Sequence, residues 1–393
     1  MAGRASLAFL GQEDISLSGD PQVTYFVERY AGQTLFTQRV EQVIFDEQGV
    51  SFGTENHRIL PKSGDLITNM YLYVEFPALP PGVGVLDSVG TLMFQYVELY
   101  LGTELIERLY AEHIEMAFDL EVPKGKQPAL SYLIGKNLQF VVTPNASYTI
   151  PLPFSTFKKG MVIDGPDITF RIVWNPTTFF TTPPTNLPGT ITSYLNIEYT
   201  YVAEAERKLL PGSAFVKERP AVAPPRLQIF EQVQRIEFFA PQGVSNVQCL
   251  LDFSNPVKEL FVVIQNDSAL GYDYSNTATS ASTSIGTGDL LKNLQLDFNG
   301  VSRIDPVVGT PQFIRIIQPL EFHTRVPDRL FYMYSFSLDP EGEDPCGSVN
   351  LSRIKNQKLY LSLNPSPANV KIRVYVSSYN FLEGSKVIFS NFK

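Results

Sequence analysis

The sequence predicts an all-β chain built as two consecutive copies of one antiparallel β-sandwich, with short helical inserts. Three observations predict it. Apolar and polar residues alternate with period two through most apolar segments, as they do on strands whose successive side chains point to opposite faces. The 393 residues include 28 Phe, 19 Tyr, 29 Pro and 26 Gly, a composition that favours strands and tight turns. Six elements of the first half recur in the second, in the same order and with a helical insert at the same place.

The strands read as follows. In Asn69 to Phe76, Met70, Leu72, Val74 and Phe76 form one face, and Asn69, Tyr71, Tyr73 and Glu75 the other. Inward faces of the same kind are Val97-Leu99-Leu101, Ile168-Phe170-Ile172 and Leu195-Ile197-Tyr199-Tyr201. Later come Leu294-Leu296-Phe298, Leu359-Leu361-Leu363 and Ile372-Val374-Val376. Turn residues separate them at Pro80-Pro81-Gly82, Asp164-Gly165-Pro166, Asn299-Gly300 and Asn364-Pro365. One helix is expected over Tyr110 to Leu120, where Tyr110, Ile114, Ala117 and Phe118 share a face. A second short helix is expected to start at Thr310-Pro311, with Thr as N-cap and Phe313, Ile316 and Ile317 buried.

The repeat pairs Leu66–Phe76 with Pro256–Gln265, and Tyr96–Leu109 with Leu294–Pro306. It continues with Tyr148–Phe154 and Tyr332–Leu338, Ile168–Pro176 and Lys358–Pro365, then Leu195–Glu204 and Ile372–Glu383. Between the copies, Arg207 to Arg226 is rich in Pro and carries Arg207, Lys208, Lys217 and Arg219, as a linker would. The expected organisation is an N-terminal arm over 1–20, a first domain over 21–213 and a second over 214–393, with the linker at about 207–226. Each domain then has room for about eight strands. Eight antiparallel strands in two sheets is the jelly-roll size, so the fold class is a double jelly roll. Ala78 to Gly90 and the Ser/Thr-rich Asn266 to Asp289 read as surface loops at one end.

Composition limits the function. The net charge of −9 disfavours nucleic acid and anionic membranes as bulk partners. Two cysteines cannot build a disulfide framework. No run has the length of a signal peptide's apolar core or of the ~20 residues of a spanning helix. Charged residues are only 18%, below the ~25% usual for soluble domains.

Four stretches carry a resemblance. Ser18 to Phe26 (SGDPQVTYF) contains Gly19, Asp20, Pro21, Gln22, Thr24 and Phe26; Pro61 to Ile67 contains Ser63, Gly64 and Asp65. Tyr334-Ser335-Phe336 leads to Pro340-Glu341, Gly347-Ser348 and Asn350-Leu351-Ser352-Arg353. Tyr375 to Phe381 closes the series. Together they resemble the double jelly-roll major capsid proteins of large eukaryotic DNA viruses, virophages and polinton-like viruses. Asp20 and Cys346 stand where that family usually has Asn and Ser, and Ala31-Gly32-Gln33-Thr34 lacks the family's frequent basic pair and His. The resemblance implies a structural protein. It implies a homotrimeric, pseudo-hexagonal capsomer that tiles an icosahedral shell. Its implied partners are copies of itself, neighbouring capsomers, penton and minor capsid proteins, and an internal membrane, without specific nucleic-acid binding. The implied place is the virion capsid, assembled in the host cytoplasm or nucleus. Met1–Asp20, low in apolar periodicity, reads as an arm that orders on assembly.

No chemistry competes with that reading. His57, His113 and His323 show no metal-ligand spacing, and His113 beside Glu112 reads as a helix-surface residue. Cys249 and Cys346 lack a partner base. Asp339, Glu341, Glu343 and Asp344 crowd one loop, but not with the spacing of a calcium loop, and read as solvated. No catalytic, cofactor or metal residue is assigned. Sequons stand at Asn145, Asn266 and Asn350; Asn266 is expected to be the most exposed. The rival readings are a minor capsid or vertex protein, which would normally be a single roll, and a carbohydrate-binding or glycoside-cleaving β-sandwich. The last would want exposed Trp platforms or paired acids, and this chain has one Trp, Trp174.

Overall fold

The computed structural model describes residues 33–45, 49–137, 141–163, 165–187, 189–207, 227–274, 289–364, 368–383 and 386–387. By internal contacts the chain divides into Met1–Leu35 and Phe36–Lys393, and both rolls lie within the second unit. The expected arm, the motif Gly19 to Phe26 and most of the expected linker, with the boundary at 213/214, lie outside the described residues.

The first roll has eight principal strands: β1 (Phe36–Ile44), β2 (Glu55–Ile59), β3 (Leu66–Glu75), β4 (Phe94–Leu101), β5 (Glu104–Tyr110), β6 (Ser147–Pro151), β7 (Ile168–Trp174) and β8 (Ser193–Val202). The second repeats them as β9 (Leu227–Ala240), β10 (Asn246–Leu251), β11 (Pro256–Asn266), β12 (Leu291–Phe298), β13 (Val301–Ile304), β14 (Tyr332–Ser335), β15 (Gln357–Leu363) and β16 (Val370–Glu383). The first roll stacks a β1-β8-β3-β6 sheet on a β2-β7-β4-β5 sheet. The second stacks β9-β16-β11-β14 on β10-β15-β12-β13, the same path. All these pairings are antiparallel. The fold is a double jelly roll, and each recurring segment read from the sequence falls on the matching strand of its roll.

Alternation explains the cores. On β3, Met70, Leu72 and Val74 are buried while Asn69 and Glu75 are exposed. The turn Asn299-Gly300 has positive φ at both residues, 51° and 84°, which suits the tight hairpin between β12 and β13. Leu260, Val262 and Ile264 of β11, Leu359 and Leu361 of β15, and Ile372, Val374 and Val376 of β16 fill the second roll.

The helical inserts differ from expectation in detail. The first is α1 (Ala111–Glu121), with Ile114 and Phe118 buried as expected; α2 (Gln127–Ile134) follows it and was not anticipated. In the second, Thr310 does cap the turn, its hydroxyl accepting from Phe313 N at 3.4 Å. The chain then winds as a π-helix over Phe313–Ile317 before α3 (Gln318–Phe322). The wider turn rotates the buried face, so Ile314 and Arg315 point inward and Ile317 is 47% exposed.

Two expected surface loops are also corrected. Within Ala78 to Gly90, Gly84–Leu86 is a strand, and Val85 to Gly90 are buried, because Val and Leu there join the first roll's core. The opening of Asn266 to Asp289 is buried at Tyr272, Asp273 and Tyr274. Its two Tyr rings are large enough to be drawn beneath the surface; 275–288 lie outside the described residues.

Candidate functional site: the junction and the uncovered sheet face

Each roll has one sheet whose inner face packs on its own core and whose outer face points away from it. In the second roll this is the face of β9, β16, β11 and β14. Register aligns Arg235, Tyr375, Phe261 and Met333 across it, and Glu237, Arg373 and Val263 in the next row. Phe261, Val263, Met333 and Tyr375 are buried and belong to the same apolar cluster as the first roll's core. Helix α1, which follows β5, supplies much of that cover.

Charged groups are set into this apolar contact. Glu112 of α1 accepts two bonds from Arg373, both at 2.6 Å, and bonds from the Tyr375 and Tyr274 hydroxyls. Burial works against the Glu112 charge, but Arg373 beside it holds the carboxyl below the ordinary range. Arg235 lies 5.5 Å from the Tyr110 ring centre and 5.8 Å from that of Tyr375. Arg329, wholly buried, donates to Asp87 at 2.7 Å, Ser88 at 2.8 Å, Glu115 at 3.1 Å and the Tyr272 carbonyl. Lys136 meets Asp119 at 2.5 Å, and Arg325 of the second roll reaches the same carboxylate at 3.3 Å. The pairs made by Arg373, Arg329 and Arg325 run from the second roll to the first, and removing one member of a buried pair strands the other.

The histidines take part. His113, expected on a helix surface, meets Ser377 at 3.2 Å and the Phe261 ring edge-on at 5.4 Å. The helix carrying it is capped by the second roll, so burial lowers its pKa to about 4 and it stays neutral. His323 lies between Glu259 at 2.7 Å and Glu341 at 2.9 Å. Burial opposes its charge, but the two carboxylates hold its pKa up at about 9. Lys258, also buried, is kept charged by Glu231 at 2.7 Å and Glu259 at 3.8 Å. His57, on β2, lies opposite Arg171 of β7. The sequence reading missed this network. Its signals were Lys258-Glu259 within an apolar strand and Arg373 among Ile372 and Val374.

The corresponding face of the first roll, on β1, β8, β3 and β6, is uncovered by any described part of this unit. Register aligns Ile44, Tyr194, Tyr73 and Thr149, then Gln42, Asn196, Tyr71 and Pro151. Phe36, Val40 and Ile44 of β1 are 53%, 62% and 64% exposed. The Tyr73 and Tyr194 rings stack at 4.4 Å. The insert of the second roll, which occupies the place of α1, exposes Ile317 and also Leu320, the latter at 69%.

The motif residues are loop fasteners. Asp65 accepts from Val202 N at 3.0 Å and pairs with Arg207 at 2.9 Å, joining the β2–β3 loop to the end of β8. Ser63 is half-buried beside it, and a side chain at Gly64 would stand 3.0 Å from Tyr199 Cβ. Ser335 hydrogen-bonds the Ser337 carbonyl at 2.7 Å, and Tyr334 and Phe336 meet edge-on at 5.1 Å. The Pro340 carbonyl accepts from Lys258 at 2.7 Å, and Glu341 accepts from Thr324 N. The acidic loop is therefore not wholly solvated: Glu341 is fastened, Asp339 accepts from Gly342 N, and Asp344 meets Lys159 of the first roll at 2.8 Å. Gly347 takes φ 133° against the Phe336 carbonyl. Asn350 accepts from Ser352 N at 3.1 Å, and Ser352 accepts from Asn255 N. Ser348 and Arg353 are exposed.

Of the sequons, Asn350 is exposed and Asn145 half-buried, but Asn266 is only 6% exposed. It ends β11, where the sheet contact covers it, so the expectation of an exposed Asn266 is corrected. Cys249 is buried and its thiol is pushed up to about 12, which leaves it inert. Cys346 is exposed. Burial raises Glu107 to about 7, yet both its oxygens accept bonds from Ser155 N, Thr156 N and the Thr156 hydroxyl, a structural role. Trp174 is buried and donates to Asn56 at 3.0 Å, so it forms no platform.

Comparison with known proteins agrees with this architecture. Residues 218–386 match the family model described as large eukaryotic DNA virus major capsid protein, and residues 24–163 match that described as major capsid protein N-terminus. The major capsid protein of Pyramimonas orientalis virus is 25% identical, with 97% of this chain and 96% of that protein covered. That of Paramecium bursaria Chlorella virus 1 is 24% identical, over 92% and 87%. Among solved structures, PBCV-1 VP54, fitted into a reconstruction of the virophage Sputnik, superposes with a TM-score of 0.76 at 18% identity, covering 94% of this chain and all of that one. The Faustovirus major capsid protein gives 0.73 at 12% identity, over 97% and 96%. With two family models covering most of the chain and one fold throughout, this chain belongs to the major capsid proteins of large eukaryotic DNA viruses.

Proposed function

We propose that three copies of this chain close into one pseudo-hexagonal capsomer, the repeating block of an icosahedral shell. The duplication carries the reading. Two rolls of one path, held together by buried ion pairs, make a rigid two-wedge unit, and three such units supply six similar wedges. The fold match to a chain of the PBCV-1 virus capsid supports the same shell role. The protein acts by assembly and carries no catalysis in this reading. Its domains are 21–213 and 214–393, joined at about 207–226, and the arm 1–20 orders when capsomers meet. Partners are neighbouring capsomers, penton and minor capsid proteins and, beneath the shell, a membrane; no base-specific contact to nucleic acid is needed. Assembly takes place in the host cell, in cytoplasm or nucleus. Negative-stain images of the purified protein test the reading: roughly hexagonal particles are expected, and small single-chain particles would refute it. Deleting 1–20 is expected to leave a folded protein with impaired shell assembly, and normal shells from that deletion would refute the arm's role.

A further inference from the structure

We infer that the uncovered outer face of β1, β8, β3 and β6 in the first roll is the seat for the Phe313–Phe322 insert of a second copy of this chain. The inference rests on the trimer reading and names the surfaces that close it. The two rolls are equivalent in path and in the place of their inserts: both follow the same strand path, and both carry a helical insert between their fifth and sixth strands. Within the chain, the first roll's insert already sits on the second roll's sheet: Glu112 and His113 of α1 touch Arg373, Tyr375 and Ser377.

The first roll's own sheet has the matching positions. Tyr71 stands where Phe261 does, Asn196 where Tyr375 does, and Gln42 where Arg235 does, by register across the strands. No described part of this unit covers that face. The element equivalent to α1 is the second roll's insert, which already lies on its own roll through Ile314 and Gln318 and leaves Ile317 and Leu320 uncovered. A single chain uses its insert–sheet contact once, from first roll to second. A second copy supplies the next step, from second roll to first. The contact is head-to-tail, so it propagates around a ring.

The two contacts differ in chemistry. The one inside the chain holds a buried ion pair, Arg373 with Glu112. The one between chains joins Phe36, Val40 and Ile44 to Ile317 and Leu320. Apolar surfaces can meet without first stripping water from charges.

The test uses the full chain with Val40→Glu on one face, Leu320→Glu on the other, and Leu338→Glu, 80% exposed, as the control. Light scattering reads mass, and circular dichroism melting confirms that each variant is folded. V40E and L320E are each expected to fall from three chains to one, while L338E stays trimeric. Mixing V40E with L320E is expected to yield dimers, because one keeps an intact insert and the other an intact sheet face. Trimers from either single variant, or monomers from the mixture, would overturn the inference while leaving the trimer intact. A trimeric V40E with a lowered melting temperature would place the face's cover within its own chain and also overturn it. A monomeric parent protein would instead remove the trimer reading itself. Should a glutamate prevent folding, Ile44→Ser and Ile317→Ser repeat the test with a gentler change.

Discussion

Arg373→Met is the sharpest perturbation of the roll–roll junction. The guanidinium makes two 2.6 Å bonds to Glu112 and one to Gln265, with its side chain 10% exposed and that of Glu112 12%. Removing one partner of a buried pair costs ~3–5 kcal/mol, chiefly by stranding the other charge. Arg235 remains near Glu112 and the Tyr375 hydroxyl still donates to it, so a loss near the lower end, about 3 kcal/mol, is expected at pH 7.5. The sign of the pH dependence follows. Without Arg373, burial raises the Glu112 pKa above its unfolded value, so the loss grows as pH rises through that range and shrinks in acid. Neutralising the stranded partner should also help: E112Q/R373M should recover on the order of 2 kcal/mol relative to R373M. Urea unfolding followed by circular dichroism, at fixed protomer concentration and at pH 5 and 7.5, measures all three variants. A loss below about 1 kcal/mol for R373M, or a double variant no more stable than the single, would refute the reasoning.

Other predictions follow from the same interior. His323 is held at about 9 in the folded chain against ~6.5 when unfolded, so its contribution, about 3 kcal/mol, is full below pH 6.5 and lost as pH rises through 9. His323→Gln should flatten that alkaline decline, and an unchanged slope would count against the Glu259–His323–Glu341 clamp. His113 stays neutral down to about 4, so the unfolded chain gains a proton first as pH falls below ~6.5 and stability declines on that side. His113→Asn should lessen the acid decline in melting temperature, and a steeper decline would contradict its buried neutral state. Gly309→Ala would drive a Cβ into the Leu294 carbonyl, where Leu294 N also bonds the Gly309 carbonyl at 2.7 Å. A loss of at least ~2 kcal/mol is expected, read by urea unfolding, and a neutral outcome would show that this loop yields freely.

The strands that sequence makes legible are those with one wet face and one dry face. β3 alternates cleanly, and so do β7 and its repeat β15, which is why the duplication could be read. β1 was not legible, because nearly every residue from Phe36 to Gln42 is exposed, and its apolar members read as noise until a partner surface is considered. β11 hid its function for the opposite reason. It is buried on both faces, one against its own core and one against the first roll, so Lys258 and Glu259 look like exceptions in an apolar run. The π-wound insert could not be read from a period of 3.6, which assigns Ile317 to the core and Ile314 to neither side. Long-range pairing explains the rest. Arg329 meets Asp87 and Glu115 from 242 and 214 residues away in the sequence, and no local pattern announces it.

The low charge content, the exposed apolar residues of β1 and the insert, and the ion-paired junction fit one account: a two-wedge unit made rigid within the chain, with exposed apolar residues toward its next copy. The central claim is that this unit is one third of a closed capsomer. The mass of the purified full-length protein at micromolar concentration, by multi-angle light scattering, tests it most directly. The account predicts three times the 44.0 kDa of one chain; a stable species of one chain or two would contradict it.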